Sequence, residues 1–357
     1  MQLCEAAGVA ARSSVHERIR NLIGRGVLKN DDILYKHVNT SHRPYGITDH
    51  QKENERLQRQ MDAWLDLKKP IQSHKIPELK TSGNALPIIC WSDWHMDETV
   101  RLGEVPGCAN QYNVDIARKR AKTCAQGSSY LVKHVASSLG RVDEAILWIG
   151  GDMFSGHIHE ELAETNACSP IKAAVTIVQP ALVDGITHIL DTANIKKLIV
   201  ICNYGNHSRI TPRIRHKTGH DHNLEWLMYQ SIRQYFSADK RVEFHIAEAY
   251  HYYYRAFDFS LRFSHGDNIS YGGGVGGIAI PAMKAIAQWN KIHRADLDII
   301  GHFHQRRDFG NLICNGSLVG MGAYAVAIKA DYERPQQQFA VIQPNKGKTL
   351  SAEIFCE

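Results

Sequence analysis

An α/β fold, with sheets covered by helices, is predicted by three observations on this chain of 357 residues. Short apolar, β-branched runs recur along it. Helical periodicities fill the stretches between them. Each run ends in a small motif built from glycine, histidine and aspartate or asparagine. Runs of four to six apolar residues read as buried strands, and strands alternating with helices give sheets covered by helices. In such folds functional groups gather beyond the carboxyl ends of the strands, so the motifs are expected around one cleft.

The elements follow in order. Leu86–Trp91 leads into Asp93-Trp94-His95, Ala145–Ile149 into Gly151-Asp152, and Leu198–Cys202 into Gly205-Asn206-His207. Leu261–Ser264 then leads into His265-Gly266, and Leu297–Ile300 into Gly301-His302-Phe303-His304. Leu224, Leu227, Met228, Ile232 and Tyr235 recur at helical spacing, which predicts a helix with those residues as its core face. Tyr250 and Tyr252–Tyr254 read as a strand with mixed faces, with a base-stacking platform as the functional alternative. Pro281 suits the first turn of a helix running to about His293. Ile313 to Ile328 and Phe339 to Ile342 read as closing strands of a second sheet.

Composition narrows the class. Hydrophobic residues make up 43% and charged residues 22%, which describes a globular chain and excludes a disordered one. No run approaches the roughly 18 apolar residues of a membrane span, so no membrane partner is expected. The stretch Met1–Glu5 has no basic region of the kind that opens a signal peptide. Eight cysteines are scattered without C-x-x-C spacing, as reduced core residues are. Together these predict a cytoplasmic setting, in a bacterial or phage-infected cell. A formal net charge of +5 permits a nucleic-acid partner without requiring one.

The motifs supply seven candidate metal ligands and one further histidine. That inventory fits two divalent cations sharing a carboxylate, a centre that activates water against a phosphate ester. D-x-H, G-D, G-N-H, H-G and G-H-x-H, in this order, resemble the calcineurin-like metallophosphoesterase superfamily, from about Leu86 onward. The resemblance implies a two-sheet β-sandwich flanked by helices. It implies that Asp93, His95 and His304 hold one metal, that Asn206, His265 and His302 hold the second, and that Asp152 bridges them. His207 resembles the family's non-ligand histidine, which gives a proton to the leaving oxygen or stabilises the phosphate. Carboxylate, imidazole and amide donors suit Mn first, with Fe, Zn or Ni as alternatives. The chain departs from the family pattern at Ser208, where many members carry an acid. The group that orients His207 is therefore missing or comes from elsewhere.

Around the motifs, Arg209, Arg213, Arg215 and Lys217 leave the Gly-Asn-His turn on one basic loop and are candidate phosphate contacts. Arg209 is the nearest to the site, and Arg306 and Arg307 are expected on the same side. His159 is a candidate for lining the cleft. The glycine-rich run 270–277 is either an anion-approaching loop or a plain surface loop.

Three regions are expected. Residues 1–38 resemble a small helix-turn-helix or winged-helix module in which Arg12, Ser13, Ser14 and His16 would approach DNA. Residues 39–85 form a linker with a charged helix over Gln51–Lys68. Residues 86–357 form the metallophosphoesterase domain. The function expected from the whole is a two-metal phosphodiesterase, most simply a nuclease on DNA or RNA, with a metal-activated hydroxide as nucleophile. A phosphomonoesterase on phosphoprotein or nucleotide is the second reading, and a DNA-binding regulator with a structural metal site the third. The sequence leaves the oligomeric state open.

Overall fold

The computed structural model describes residues 78–79, 84–270 and 277–357, all in one compact unit, Lys75–Glu357. The expectations for residues 1–38, including Arg12, Ser13, Ser14 and His16, fall outside the described residues. So do the helix over Gln51–Lys68 and most of the glycine-rich run.

The first sheet is built around four parallel strands in chain order: β2 (Leu86–Trp91), β3 (Glu144–Ile149), β4 (Lys197–Cys202) and β5 (Val242–Ile246). β11 (Gln336–Gln343) and β12 (Gly347–Phe355) extend it antiparallel beyond β2. The second sheet runs in the order β1 (Glu78–Leu79), β6 (Tyr252–Ala256), β7 (Phe259–Phe263), β8 (Leu297–Ile300), β10 (Leu312–Cys314) and β9 (Arg307–Asp308). β7, β8 and β10 run parallel to one another in that series.

Helices cover both sheets. α1 (Val114–Ser138) starts at Asn113, whose side chain accepts the N–H groups of Asp115 and Ile116, the usual chemistry of an N-cap. α2 (Glu160–Thr165) follows β3, and α3 (Pro170–Ala173) continues through a π-turn at Ala174–Val178 into α4 (Gln179–Thr192). α5 (Leu224–Tyr235) precedes β5, α6 (Ala279–Trp289) precedes β8, and α7 (Ala323–Ala327) precedes β11. The stretch Pro170–Thr192 is a single helix of 23 residues, long and apolar enough to cross a membrane by length and composition. It is not an unbroken apolar run, since Lys172, Gln179, Asp184 and His188 interrupt it. Here its Ile177, Leu182, Ile186 and Ile189 are buried in the core.

Alternation along the strands builds the layers. Ile88, Cys90, Trp148 and Ile201 point inward and meet Phe263 and Ile299 between the sheets. Ile89, Trp91, Leu147 and Ile149 point the other way, into the helical layer. Ala282 and Ile286 of α6 cover Ile300 and Leu312 on the far face of the second sheet. Strands buried on both faces explain the unbroken apolar runs in the sequence. The α/β sandwich of two sheets flanked by helices is thus the observed fold.

Three expectations need correction. Ile313 to Ile328 is not a strand: β10 ends at Cys314 and the chain turns through Gly316 and Gly320 toward the motifs, where Ser317 Oγ donates to the Asp93 carbonyl at 2.7 Å. Phe339 to Ile342 is a strand, but it pairs with β2 in the first sheet. The helix over Leu224–Tyr235 forms, yet Leu227 is 61% and Tyr235 66% exposed. Its buried stripe is Glu225, Met228, Tyr229 and Ile232.

Candidate metal centre

The five motifs follow the carboxyl ends of β2, β3, β4, β7 and β8 and meet at one end of the sandwich. Both sheets contribute. Asp93, His95, Asp152 and Asn206 come from the first; His265, His302 and His304 come from the second. Asp93, His95, Asp152, His302 and His304 all have φ between 42° and 71°. Left-handed backbone disfavours L-residues by about 1–2 kcal/mol each. Of the nine described non-glycine residues with positive φ, five are therefore at these motifs, where strain commonly marks a functional site.

Glycines let the motif loops touch. A Cβ on Gly151 would lie 2.3 Å from the Gly205 nitrogen, and one on Gly205 would lie 2.1 Å from Asp152 Oδ1. Any larger residue would push the two loops apart. The third contact is His207 N–H, which donates to Asp152 Oδ1 at 2.9 Å.

Three overlapping groups of side chains face inward, one of which sets His207 beside His95 and Asp152; the other two hold the remaining ligand-type side chains. In one of these two, His95 Nε2 and His304 Nε2 are 3.0 Å apart, and Asp93 Oδ1 is 3.6 Å from His304 Nε2. In the other, His265 Nε2 is 2.8 Å from Asp152 Oδ2 and 3.1 Å from Asn206 Oδ1. His302 joins Asp152 and His265 there, with ligand-type atoms all within 4.8 Å of one another. His265 Nδ1 donates to the Gly150 carbonyl at 2.7 Å. His265 Nε2 therefore turns toward two oxygen acceptors. Such a cluster of acceptors requires a positive centre, a proton or a metal cation, to hold it together.

Three of the four imidazoles are in the form that suits a cation. Burial disfavours a proton on the fourth, His265, but Asp152 outweighs it and holds His265 well above its usual range, so a proton there takes the place of a positive ion. Burial pushes His302 down to about 3 and His304 down to about 4, and holds His95 well below the usual range. These imidazoles are neutral at neutral pH, the form that ligates metals. Burial drives Asp93 up to about 7, with the nearby Asp152 charge adding to the effect and His265 opposing it. Two carboxylates this deep are costly without a compensating positive charge. Nitrogen, carboxylate and amide oxygen at this spacing fit two borderline divalent ions.

Ser155 ties the centre to His207. Its carbonyl accepts from His207 Nδ1 at 2.8 Å, and its Oγ lies 3.0 Å from His95 Nδ1. Its N–H donates to Asp97 Oδ1 at 2.6 Å. The orienting group that Ser208 does not provide is thus a backbone carbonyl. Ser208 Oγ instead bonds Asn223 Oδ1 at 2.9 Å. The ring of His159 is 5.8 Å from that of His207, at the exposed rim.

The other expected contacts divide. Arg209 folds back, with Nη1 donating to the Asn206 carbonyl at 2.7 Å and Nε to the Thr211 carbonyl at 3.2 Å. Arg213, Arg215 and Lys217 are exposed. Arg209 and Arg215 line a cavity of about 420 Å³ beside Asn206, with Tyr204, His222 and Tyr250. Arg306 and Arg307 do not serve the cleft. Arg306 pairs with Glu353 at 2.7 Å, and Arg307 pairs with Asp331 and Glu333. Their neighbours in sequence are ligand-like, but their side chains point into acidic contacts.

Three supporting residues were not visible in the motifs. Ser155 is one. Gln337, fully buried on β11, accepts Ser92 N–H at 2.9 Å and Trp94 Nε1–H at 3.2 Å, fixing the turn that carries Asp93. The third is Glu225, whose carboxylate accepts Met153 N–H at 2.6 Å and Gly205 N–H at 2.7 Å.

No protein-family model matches the chain, and no curated protein matches it. Among solved structures it is similar to a predicted phosphoesterase from Streptococcus pneumoniae TIGR4, at 12% identity over 75% of this chain and 97% of that one, with a TM-score of 0.27. A Vps29 single mutant from Entamoeba histolytica is 10% identical over 75% of this chain and 97% of its own, with a TM-score of 0.29. A putative 5'-nucleotidase from Staphylococcus aureus is 10% identical over 76% of this chain and 54% of its own, with a TM-score of 0.32. Overlaps this loose do not place residues of one protein on another, and the centre stands on its own geometry.

Proposed function

We propose that this chain is a metal-dependent phosphoesterase and, within that class, a phosphodiesterase acting on nucleic acid. The observation that carries the reading is the convergence of seven side chains with ligand-type atoms from two sheets, five of them on left-handed backbone. Asp93, His95 and His304 would hold one ion, Asn206, His265 and His302 the other, with Asp152 placed to serve either. Mn²⁺ is the first candidate, with Fe, Zn or Ni as alternatives. When bound, such a pair supplies Lewis-acid and water-activating chemistry for in-line displacement at phosphorus.

The chain's own groups do the rest. His207 has its Nδ1 proton committed to the Ser155 carbonyl, so Nε2 is the atom that exchanges a proton with the leaving oxygen. Asp152 Oδ1 fixes the same residue through its backbone N–H. The exposed Arg213, Arg215 and Lys217 supply the positive rim along which a polyanion approaches. Arg209 braces the Asn206 turn and borders the cavity beside it.

A second reading, a phosphomonoesterase on nucleotides or phosphoproteins, draws support from that cavity. About 420 Å³ beside a candidate ligand lies in the range of small-molecule sites. A DNA-binding regulator with a structural metal site would rest on residues 1–38 and gains no support from the strained, clustered side chains.

The deciding experiment gives the Mn²⁺-loaded protein five substrates: single-stranded DNA, duplex DNA, RNA, bis-p-nitrophenyl phosphate and p-nitrophenyl phosphate. Cleavage of an oligonucleotide and preference for the diester dye support the leading reading. Preference for the monoester dye with no nucleic acid cut selects the second. No hydrolysis of any of the five removes both.

A further inference from the structure

We infer that Glu225 is a positioning residue that sets the spacing of the two metal-bearing loops. The inference rests on the metal-centre reading above and extends it to a residue outside every motif.

Glu225 lies in the first turn of α5 and is fully buried. One carboxylate oxygen takes the N–H of Met153, the residue after Asp152; the other takes the N–H of Gly205, the residue before Asn206. A single carboxylate thus spans the Gly-Asp turn and the Gly-Asn-His turn. The same helix end grips Gly205 from its other side, because Asn223 Nδ2 donates to the Gly205 carbonyl at 2.9 Å. Asn223 Oδ1 meanwhile accepts Glu225 N–H at 2.9 Å and caps the helix. Both backbone groups of Gly205 are therefore held by α5. No glycine-to-side-chain change can loosen this join without collision, since Gly151 and Gly205 are already in backbone contact.

The chemistry requires a carboxylate. Both partners are N–H donors, so the bridging group must accept at each end. Glutamine has the same shape but presents one oxygen and one NH₂. Its NH₂ would face an N–H at Met153 or at Gly205, and the loop on that side would move away. Asp152 and Asn206 would then no longer meet at one spacing. Groups that orient ligands from behind typically change metal affinity by roughly 10–100-fold when altered.

The test is direct calorimetric titration of the metal-free full chain with Mn²⁺, on wild type, Glu225→Gln, Glu225→Asp and Met228→Ala. Met228 is buried on the same helix, so its truncation weakens the helix packing without touching either N–H. The expected result is two equivalents in wild type and affinity roughly 10–100-fold weaker for at least one equivalent in Glu225→Gln. Glu225→Asp, which keeps the charge on a shorter arm, should also be weakened and serves if the glutamine variant does not fold. Met228→Ala should melt earlier yet bind both ions as wild type does. Wild-type affinity in the Glu225 variants overturns the inference, as does an equal loss in Met228→Ala. A wild-type chain that takes up neither Mn²⁺ nor, in parallel titrations, Fe²⁺, Zn²⁺ or Ni²⁺ overturns the metal-centre reading itself, a different and recognisable failure.

Discussion

His207 donates its Nδ1–H in a hydrogen bond to the carbonyl of Ser155, across 2.8 Å. The backbone of one motif loop thereby sets the tautomer of the histidine on the next. A carbonyl cannot take up a proton as a carboxylate can, so the imidazole is oriented without an ionic partner.

His207→Ala should slow turnover by roughly 10²–10⁴-fold, the scale of general acid-base help, with both metal equivalents retained. Elemental analysis beside steady-state kinetics checks it. Loss of one metal equivalent would show that His207 is a ligand.

Asp152→Asn should reduce hydrolysis to background and release at least one ion, because Asp152 clusters with His95 on one side and with His265 and His302 on the other. Full activity of that variant in excess Mn²⁺ would remove it from the bridging position.

Neutralising Arg213, Arg215 and Lys217 together should weaken nucleic-acid binding and flatten its salt dependence. On duplex DNA the slope should fall by about 0.9 for each phosphate that the loop no longer neutralises. Fluorescence anisotropy between low and moderate salt reads both effects. An unchanged slope would mean that the loop is only a solvated face.

Arg262 and Asp298 form a buried ion pair on neighbouring strands β7 and β8, at distances of 2.6 and 3.0 Å. Arg262→Ala leaves the aspartate buried without its partner and should cost about 3–5 kcal/mol of stability. Arg262→Met with Asp298→Leu should cost less, the remaining loss coming from the bonds Arg262 also gives Asn290 Oδ1 and the His293 carbonyl. Urea titrations of the two variants compare them, and equal losses would contradict the explanation.

His251, in the lining of the cavity beside Asn206, offers a pH test on a residue outside the motifs. Burial, assisted by the Arg262 charge, pushes it down to about 4 from an ordinary 6.5. The unfolded chain therefore takes up this proton first as pH falls. Stability is lost progressively between about 6.5 and 4 and levels off below that. Replacing His251 with Phe should remove this part of the slope. Melting temperatures of the metal-free protein at pH 7 and pH 5 test it, and an unchanged difference between wild type and variant would refute it.

The strands and their terminal motifs could be read from the sequence because each is local: an apolar run, then a turn with its own residue types. Gln337 and Ser155 could not. They act on Asp93, His95 and His207 through contacts between segments far apart in the chain, and neither carries a pattern of its own. Glu225 did leave a trace. With Met228, Tyr229 and Ile232 it forms the buried stripe of α5, so a charged residue sits at a position where helical spacing calls for an apolar one. A stripe drawn through Leu227 and Tyr235 hides that anomaly. Arg306 and Arg307 failed for the opposite reason: closeness in sequence to His304 says nothing about the acids waiting across the sheet.

The centre draws its side chains from both sheets, and each proposed ion takes ligands from both. Sliding one sheet over the other by a fraction of an ångström would change the separation of the two ions directly. On the proposed reading, the packing of Trp148 on Phe263, ring centroids 6.2 Å apart in the middle of the sandwich, would be a mechanical element of the centre. Stiffness there would keep two bound ions in gauge, and a softer sandwich interior would lower turnover without altering any residue that meets the substrate.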